Sequence, residues 1–293
     1  MRYFLGIIAG LLAGIVYNSA SLIQKLVVSK ADHGKPLVRQ LIRSPLWILS
    51  VLGTGVFVFV FVIFGQMMIG PTLIPGLTAL GMIIIPIGAT KFIGEKNGIR
   101  EYLGIISIII GVFLLGLSRL SIDTEKVAWL EPAFFRKCLW YYGGLSLLSL
   151  LLIGTGFILK RYSRSPALFF SLSGGLLLGL SNILAAPIAH QITLLAQSQF
   201  DQLSWPYLVI GIAYLLLINV VAVYIMQRAF KHGQVSVLIP IQQLPVQVIP
   251  IVSHFWLFSA TFPTSLSRFA VPAAVLLIMA GAVALGKSEA AVQ

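Results

Sequence analysis

The segment SVLIPIQQLPVQVIP, residues 236–250, decides how this chain has to fold. It places three prolines and three glutamines inside a longer stretch, 232–267, that contains no Lys, Arg, Asp or Glu. Proline removes a backbone donor from a helix, and an amide is costly in hydrocarbon. Both are tolerated in a membrane helix where protein or a water-filled cavity lies beside them. The segment therefore predicts a broken membrane helix with an inward-facing polar side.

The rest of the chain is similarly apolar. Hydrophobic residues occupy 58% of the 293 positions, charged residues occupy 10%, and the mean hydropathy is +1.00. A soluble protein of this size could not bury so many apolar side chains, and a bilayer core requires about 20 apolar residues per helix. We therefore predict an all-α polytopic membrane protein, with Gly70-Pro71 as the turn between its second and third spans. The nine predicted spans are 3–28, 45–69, 71–93, 99–118, 138–160, 167–198, 206–230, 233–257 and 268–286.

The basic residues are distributed unequally between the two sides of these spans. Six of the 20 Lys and Arg residues lie on the side of the N-terminus, which leaves 14 on the opposite side. Because cytoplasmic loops carry the positive excess, the N-terminus is predicted outside the cell membrane and the C-terminus in the cytoplasm. The net charge of +12 is thus interpreted as topology, with membrane lipid and not nucleic acid as the expected partner.

Short sequence motifs recur along the chain at offsets of 165 and 170 positions. The recurrence pairs spans 1, 3 and 4 with spans 6, 8 and 9, and a displacement of five spans reverses direction through the membrane. We therefore predict one transmembrane transporter domain, 1–293, made of two inverted repeats, 1–119 and 166–288, joined by the span 138–160. The matching words are GLLAG (10–14) with GLLLG (175–179), LIP (73–75) with LIP (238–240), and GVFLLGLS (111–118) with GAVALGKS (281–288).

Transporters with inverted repeats hold their substrates near the midplane, at the repeat interface. Gln243 and Gln247 are four residues apart and share one helical face, which is expected to line a cavity. The alternative, left open, is that these amides only join neighbouring helices. The predicted substrate contacts are Asn18, Thr78, Asn182, Asn219, Gln242, Gln243 and Gln247. The predicted helix breaks or gating points are Pro75, Pro86, Pro240, Pro245 and Pro250.

Three cationic or titratable side chains are candidate contacts for an anionic solute: Lys25, Lys91 and His190. The alternative for Lys25 is a side chain that snorkels to the membrane interface. Lys91 precedes Glu95 by four residues, which favours a helical ion pair between them. His190 lies 165 positions after Lys25, and its alternative is an interfacial hydrogen bond.

All eight acidic residues are predicted in loops or at span ends. Magnesium is bound by hard oxygen ligands, usually with at least one carboxylate, so a neutral or anionic organic solute is favoured. The sequence contains no motif of a phosphate loop, nucleophile elbow or zinc protease, and we expect no catalytic residue, metal site or cofactor. A non-transporting membrane subunit is the rival hypothesis, and a homodimer is left open.

Four segments resemble the drug/metabolite transporter (EamA-like) superfamily, and within it the nine-span NIPA-type magnesium transporters. The resemblance implies alternating access, with magnesium as the alternative substrate. It matches Gly94 and Glu95 to a cytoplasmic Gly-Glu and Pro75 and Pro240 to central prolines, whereas HFWLFSATFP (254–263) lacks the second glutamate. The segments are GLLAGIVYNSASLIQK (10–25), TLIPGLTALGMIIIPIGATKFIGEK (72–96), REYLGIISIIIGVFLLG (100–116) and QRAFKHGQVSVLIPIQQ (227–243).

Overall fold

A computed structural model describes residues 2–32, 35–69, 74–118, 120, 131–161, 166–196 and 205–292. These residues form helices and the connections between them, as expected for an apolar chain whose backbone groups must be satisfied internally. The helices are α1 (Arg2–Ser29), α2 (Leu37–Ile42), α3 (Pro45–Leu52), α4 (Val58–Ile69), α5 (Ile74–Leu80), α6 (Ile84–Gly88), α7 (Ile99–Leu117), α8 (Pro132–Arg161), α9 (Ala167–Ala196), α10 (Trp205–His232), α11 (Val235–Val252) and α12 (Ser265–Val292).

Within the described residues, nine helical stretches are long and apolar enough to cross a membrane. This confirms the predicted all-α fold and the predicted number of candidate spans in the described residues. The fifth stretch begins at Pro132, six residues before the predicted start, because α8 continues through the polar residues Arg136 and Lys137. The predicted turn at Gly70-Pro71 lies outside the described residues. The stretches are Tyr3–Ser29, Pro45–Gly65, Gly76–Ile93, Ile99–Leu117, Pro132–Arg161, Ala167–Ala185, Trp205–His232, Val235–Leu257 and Ser265–Leu285.

The chain divides into two compact units, each of which has its own packing. The first unit comprises 1–120, 227–241 and 262–293, so it combines the first four spans with the α10–α11 turn and α12. The second unit comprises 121–226 and 242–261, and contains α8, α9, most of α10 and the end of α11.

Glycines bring helix backbones into direct contact in the first unit. Gly14 of α1 lies against the backbone of Gly81, and a methyl group added to either glycine would overlap the other chain segment. Gly104 of α7 lies against Gly281 of α12, and Gly111 lies against Ala274. A later residue of α7 thus contacts an earlier residue of α12, so these two helices are antiparallel. Small residues that permit such close approach are typical of packed membrane helices.

The second unit packs around a cluster of buried apolar side chains. The hydroxyl of Tyr141 on α8 donates a hydrogen bond to the carbonyl oxygen of Ile249 at 3.2 Å, and the buried hydroxyls of Ser149 and Ser173 lie 2.7 Å apart. These bonds connect α8 to α11 and to α9. The cluster consists of Tyr141, Leu176, Leu177, Leu180, Ile183, Ile218, Ala222, Ile249 and Leu257.

The expectation that Pro240, Pro245 and Pro250 break their helix is wrong, because α11 is a continuous α-helix from Val235 to Val252. Prolines five residues apart are rotated by about 140° around a helix, so their missing hydrogen bonds do not weaken one side of it. Neighbouring helices also support α11, since Pro245 packs against Gly175 of α9.

The third span is interrupted, but not where it was expected to be. Its irregular turns are the 3₁₀ turn Gly81–Ile83 and the π-helical turn Ala89–Ile93, whereas the backbone of Pro75 is helical within α5. Pro86 lies inside α6 and is buried. Pro86 has no N–H to donate to the carbonyl of Met82, four residues earlier, and Met82 lies within the 3₁₀ turn. The side chain of Pro75 lies outside the described residues.

Candidate functional site

A buried ion pair lies at one end of the first unit. The Nζ of Lys25, near the end of α1, is 3.9 Å from Oε1 of Glu95, which follows the third span. Their side chains are only 11% and 7% exposed. Removing two charges from water costs several kcal/mol per ion, so such a pair requires further hydrogen bonds to both groups. Both groups have them.

Glu95 binds the N-terminal end of α11. Its carboxylate accepts hydrogen bonds from the backbone N–H of Val235 at 2.8 Å, and from the N–H and hydroxyl of Ser236 at 3.2 Å and 2.9 Å. The first N–H groups of a helix have no partner within it and carry partial positive charge. Glu95 thus supplies the cap of a helix that begins 140 residues later in the chain.

Lys25 binds the opposite kind of helix end. Its ammonium group donates to the carbonyl oxygens of Phe230 at 2.5 Å and Gly233 at 2.6 Å, where α10 ends. Helix C-terminal carbonyls carry partial negative charge, so a cation is favourable there. Lys25 and Glu95 together hold both sides of the α10–α11 turn. The sequence had suggested that Lys25 either contacts a solute anion or snorkels to the membrane interface. In the structure its ammonium group instead binds the end of α10.

A chain of amide hydrogen bonds lies beside this ion pair. Trp47 Nε1 donates to Gln227 Oε1 at 3.2 Å, and Gln227 Nε2 donates to Gln24 Oε1 at 2.8 Å. Gln24 Nε2 then reaches the hydroxyl of Thr54 at 3.5 Å. The chain joins α1, α3, α10 and the π-helical turn Gly53–Phe57, so the side-chain amides of Gln24 and Gln227 are bonded to protein groups.

The predicted ion pair between Lys91 and Glu95 does not form. Gly94 adopts the left-handed conformation with φ 79°, which ends the helical register and directs Glu95 towards α11. Lys91 is exposed, and its Nζ lies 5.7 Å from the centroid of the Phe92 ring. A four-residue spacing supports an ion pair only where the helix continues through both residues.

The predicted substrate contacts Gln243 and Gln247 are half-buried neighbours on α11. Gln247 Nε2 donates to Gln243 Oε1 at 3.4 Å, which confirms that they share one helical face. Gln242 lies on a different face, is 2% exposed, and its Oε1 has no hydrogen-bond partner. Asn219 donates to Ser181 at 2.7 Å, the contact expected of an amide that joins two helices.

The remaining predicted contacts are dispersed. Asn18 is buried in α1, donates to the carbonyl of Gly14 at 2.7 Å, and leaves Oδ1 without a partner. Thr78 is half-buried in α5, and its backbone lies against Gly14. The side chain of Asn182 is exposed on α9. The side chain of His190 lies outside the described residues.

The third span ends in an uncommon backbone arrangement. The π-helical turn Ala89–Ile93 is followed by Gly94 in the left-handed conformation. The backbone N–H of Glu95 then donates to the carbonyl of Ala89 at 3.1 Å, six residues earlier. The same carbonyl also accepts from the N–H of Gly94, so two successive N–H groups close the helix end on one acceptor.

The eighth span ends in the same arrangement. The π-helical turn Ser253–Leu257 is followed by Ser259 with φ 51°, and the N–H of Ala260 donates to the carbonyl of His254 at 3.0 Å. Gly94 and Ser259 are the only positive-φ residues in the part of the chain that the structure describes. Each residue lies 165 positions after its counterpart: Ser259 after Gly94, Ala260 after Glu95, and His254 after Ala89.

A helix contact recurs at the same spacing. In the first unit, a methyl group added to Gly10 would lie 2.9 Å from Cβ of Leu77, so α1 touches α5 there. In the second unit, a methyl group added to Gly175 would overlap the backbone of Gln242, where α9 touches α11. Both partners are displaced by 165 positions, so each unit contains the same close contact.

Sequence reasoning missed the role of Glu95. It treated the residue as one of eight acids at loops and span ends, although Glu95 is buried and bonded to a helix end. The available signal was the Gly-Glu pair after an apolar span, since a left-handed glycine turns the next side chain away from the helix. No protein-family model, curated protein or solved structure matches this chain.

Proposed function

We propose that this chain is a secondary transporter of the drug/metabolite type, built from two repeats of inverted topology. The observation that carries the proposal is the recurrence of one helix end, with its left-handed residue and six-residue hydrogen bond, at Gly94 and again 165 positions later at Ser259. Short sequence motifs can match by chance. A rare backbone geometry that recurs at the same 165-residue offset is independent support for a repeat. Inverted repeats are characteristic of secondary transporters.

The proposed substrate is a small polar solute, neutral or anionic. Glu95 caps α11, and Glu101 accepts from the N–H of Gly98 at 2.7 Å within the first turn of α7, so both carboxylates serve helix ends. The described residues contain no group of three or more His, Cys, Asp or Glu placed to hold a metal ion. Among the described residues, most buried side-chain atoms without a hydrogen-bond partner are amide oxygens, such as those of Gln242 and Asn18. These oxygens can accept hydrogen bonds from the hydroxyl or N–H groups of a neutral solute, whereas an anionic solute would have to bind the amide N–H groups.

The proposed orientation places the N-terminus outside and the C-terminus in the cytoplasm of the cell membrane. Lys35, exposed in the first connection, is then cytoplasmic. A Lys35→Cys variant, made in a Cys138→Ala background that removes the one native cysteine, should react with an impermeant maleimide only after the membrane is permeabilised. Labelling in intact cells would show that the first connection is outside and that the proposed orientation is wrong.

The transport proposal is tested by a Gln243→Leu variant. Leucine is favourable in a membrane helix and is similar in size to glutamine, so folding should be nearly unchanged. A solute that bonded Gln243 would lose about 1–3 kcal/mol, or roughly five- to more than a hundredfold in affinity. A screen for thermal stabilisation over solutes, nucleotides and divalent ions first finds the ligand, and proteoliposome uptake then compares the variants.

Gln227→Leu is the matched control, because it makes the same chemical change in the bonded amide chain of the first unit. It should lower thermal stability more than transport per folded molecule. Normal transport by Gln243→Leu would mean that its amide only joins helices. Saturable magnesium uptake would restore the NIPA-type alternative, and absence of flux for every solute that stabilises the protein would favour a non-transporting subunit.

A further inference from the structure

We propose that the first unit carries a binding site for an anionic phospholipid, on a groove beside α12. The groove has a volume of about 670 Å³ and is lined by Arg100, Leu276, Met279, Ala280, Val283 and Ala284. The inference concerns a surface that the proposed transport function does not use, and only the side of the membrane on which it lies rests on the proposed orientation.

The groove has an apolar floor and one cation. Its α12 residues run from Leu276 to Ala284, which is about 12 Å of helix at 1.5 Å per residue. Leu276, Met279 and Val283 are 68%, 49% and 57% exposed. The small side chains of Ala280 and Ala284 lie among them along the same groove. Apolar side chains exposed along a membrane-spanning helix are in contact with lipid tails.

Arg100 supplies the charge complementarity that selects the headgroup. It is exposed in the first turn of α7, and the described residues offer it neither a hydrogen bond nor an ion pair. A cation in the first turn is disfavoured by the helix dipole, which an adjacent anion would compensate. Guanidinium binds phosphate with two parallel hydrogen bonds. A phosphate at Arg100 would thus complete a site whose acyl chain lies along α12.

The occupant is a membrane lipid because the cation and the apolar floor of the groove are continuous. Gly104, one turn beyond Arg100, lies against Gly281 and Leu285, which places Arg100 beside the end of the α12 span. A headgroup is located at the end of a span, and its chain extends towards the middle. By the proposed topology this end is cytoplasmic, where anionic lipids are abundant and basic residues beside membrane helices bind their headgroups.

The test is native mass spectrometry of the purified full-length protein with phosphatidylglycerol or phosphatidylcholine of identical acyl chains. We expect about fivefold higher retention of phosphatidylglycerol, the effect of roughly one basic contact. Arg100→Gln should abolish that preference. Lys96→Gln, which removes an exposed cation four residues earlier, should leave it unchanged. Ala280→Leu, which fills the groove, should reduce retention of both lipids.

The variants change exposed positions, so matching melting temperatures establish that each protein is folded. Glycerophosphoglycerol, which has the headgroup without chains, should not displace the lipid, whereas displacement would indicate a free-phosphate site. Equal retention of both lipids would overturn the proposal, as would an equal effect of Lys96→Gln. A dimer mass accompanied by exclusion of lipid would identify the groove as an interface between copies instead.

Discussion

Replacing Glu95 with Gln is expected to lower the free energy of unfolding by about 3–5 kcal/mol, because it leaves Lys25 buried without its anionic partner. The same change weakens the cap on α11, since the amide presents N–H groups to the donors of Val235 and Ser236. The measurement is equilibrium unfolding in mixed micelles with increasing denaturing detergent.

The chain offers a matched control for this prediction in its other described ion pair. Lys35 and Asp32 lie 3.4 Å apart, but their side chains are 71% and 55% exposed. Lys35→Met should therefore change stability by no more than about 1 kcal/mol. The double variant Lys25→Met/Glu95→Gln should be less destabilised than the two single variants added together. A Glu95→Gln protein as stable as the Lys35→Met protein would contradict a structural role for the pair.

Gly14→Ala is expected to destabilise the first unit by about 1–3 kcal/mol or more, because its new methyl group overlaps the backbone of Thr78. Backbone cannot move aside as a flexible side chain can, so α1 would have to separate from the third span. Unfolding of the purified variant measures the loss.

Gly143→Ala is the control for this glycine, since a methyl group there meets nothing within 4 Å. Alanine is a better helix former than glycine by roughly 0.5–1 kcal/mol, so this variant should be neutral or stabilised. If both variants behaved alike, the close crossing of α1 and the third span would not determine stability.

The nine spans were predictable because length and hydropathy are local properties of the chain. The partner of Lys25 was not, since its bonds to Phe230 and Gly233 join residues 205 and 208 positions apart. No pattern within a single span distinguishes a lysine that snorkels from one that caps a distant helix. The same limit applies to Lys91, where a correct four-residue spacing failed because Gly94 ends the helix between the two residues.

The prolines of α11 illustrate a second limit. Their chemistry correctly predicts missing donors, but the response of the helix depends on neighbours such as Gly175, against which Pro245 packs. The candidate site likewise follows from the sequence only where its geometry is local to one helix. The shared face of Gln243 and Gln247 follows from helix periodicity. The bond between Asn219 and Ser181 requires knowledge of which helices meet.

The discontinuity of the first unit has a consequence for biosynthesis. Its first 120 residues leave the ribosome long before residues 227–241 and 262–293, which complete it. A nascent chain that ends before residue 227 already contains Lys25 and Glu95, but the carbonyls of Phe230 and Gly233 and the N–H groups of Val235 and Ser236 are still to be made. The first unit can therefore be completed only after the α10–α11 turn and α12 have been made. Translational arrest before residue 227 would leave the Lys25–Glu95 pair without these hydrogen bonds to the α10–α11 turn.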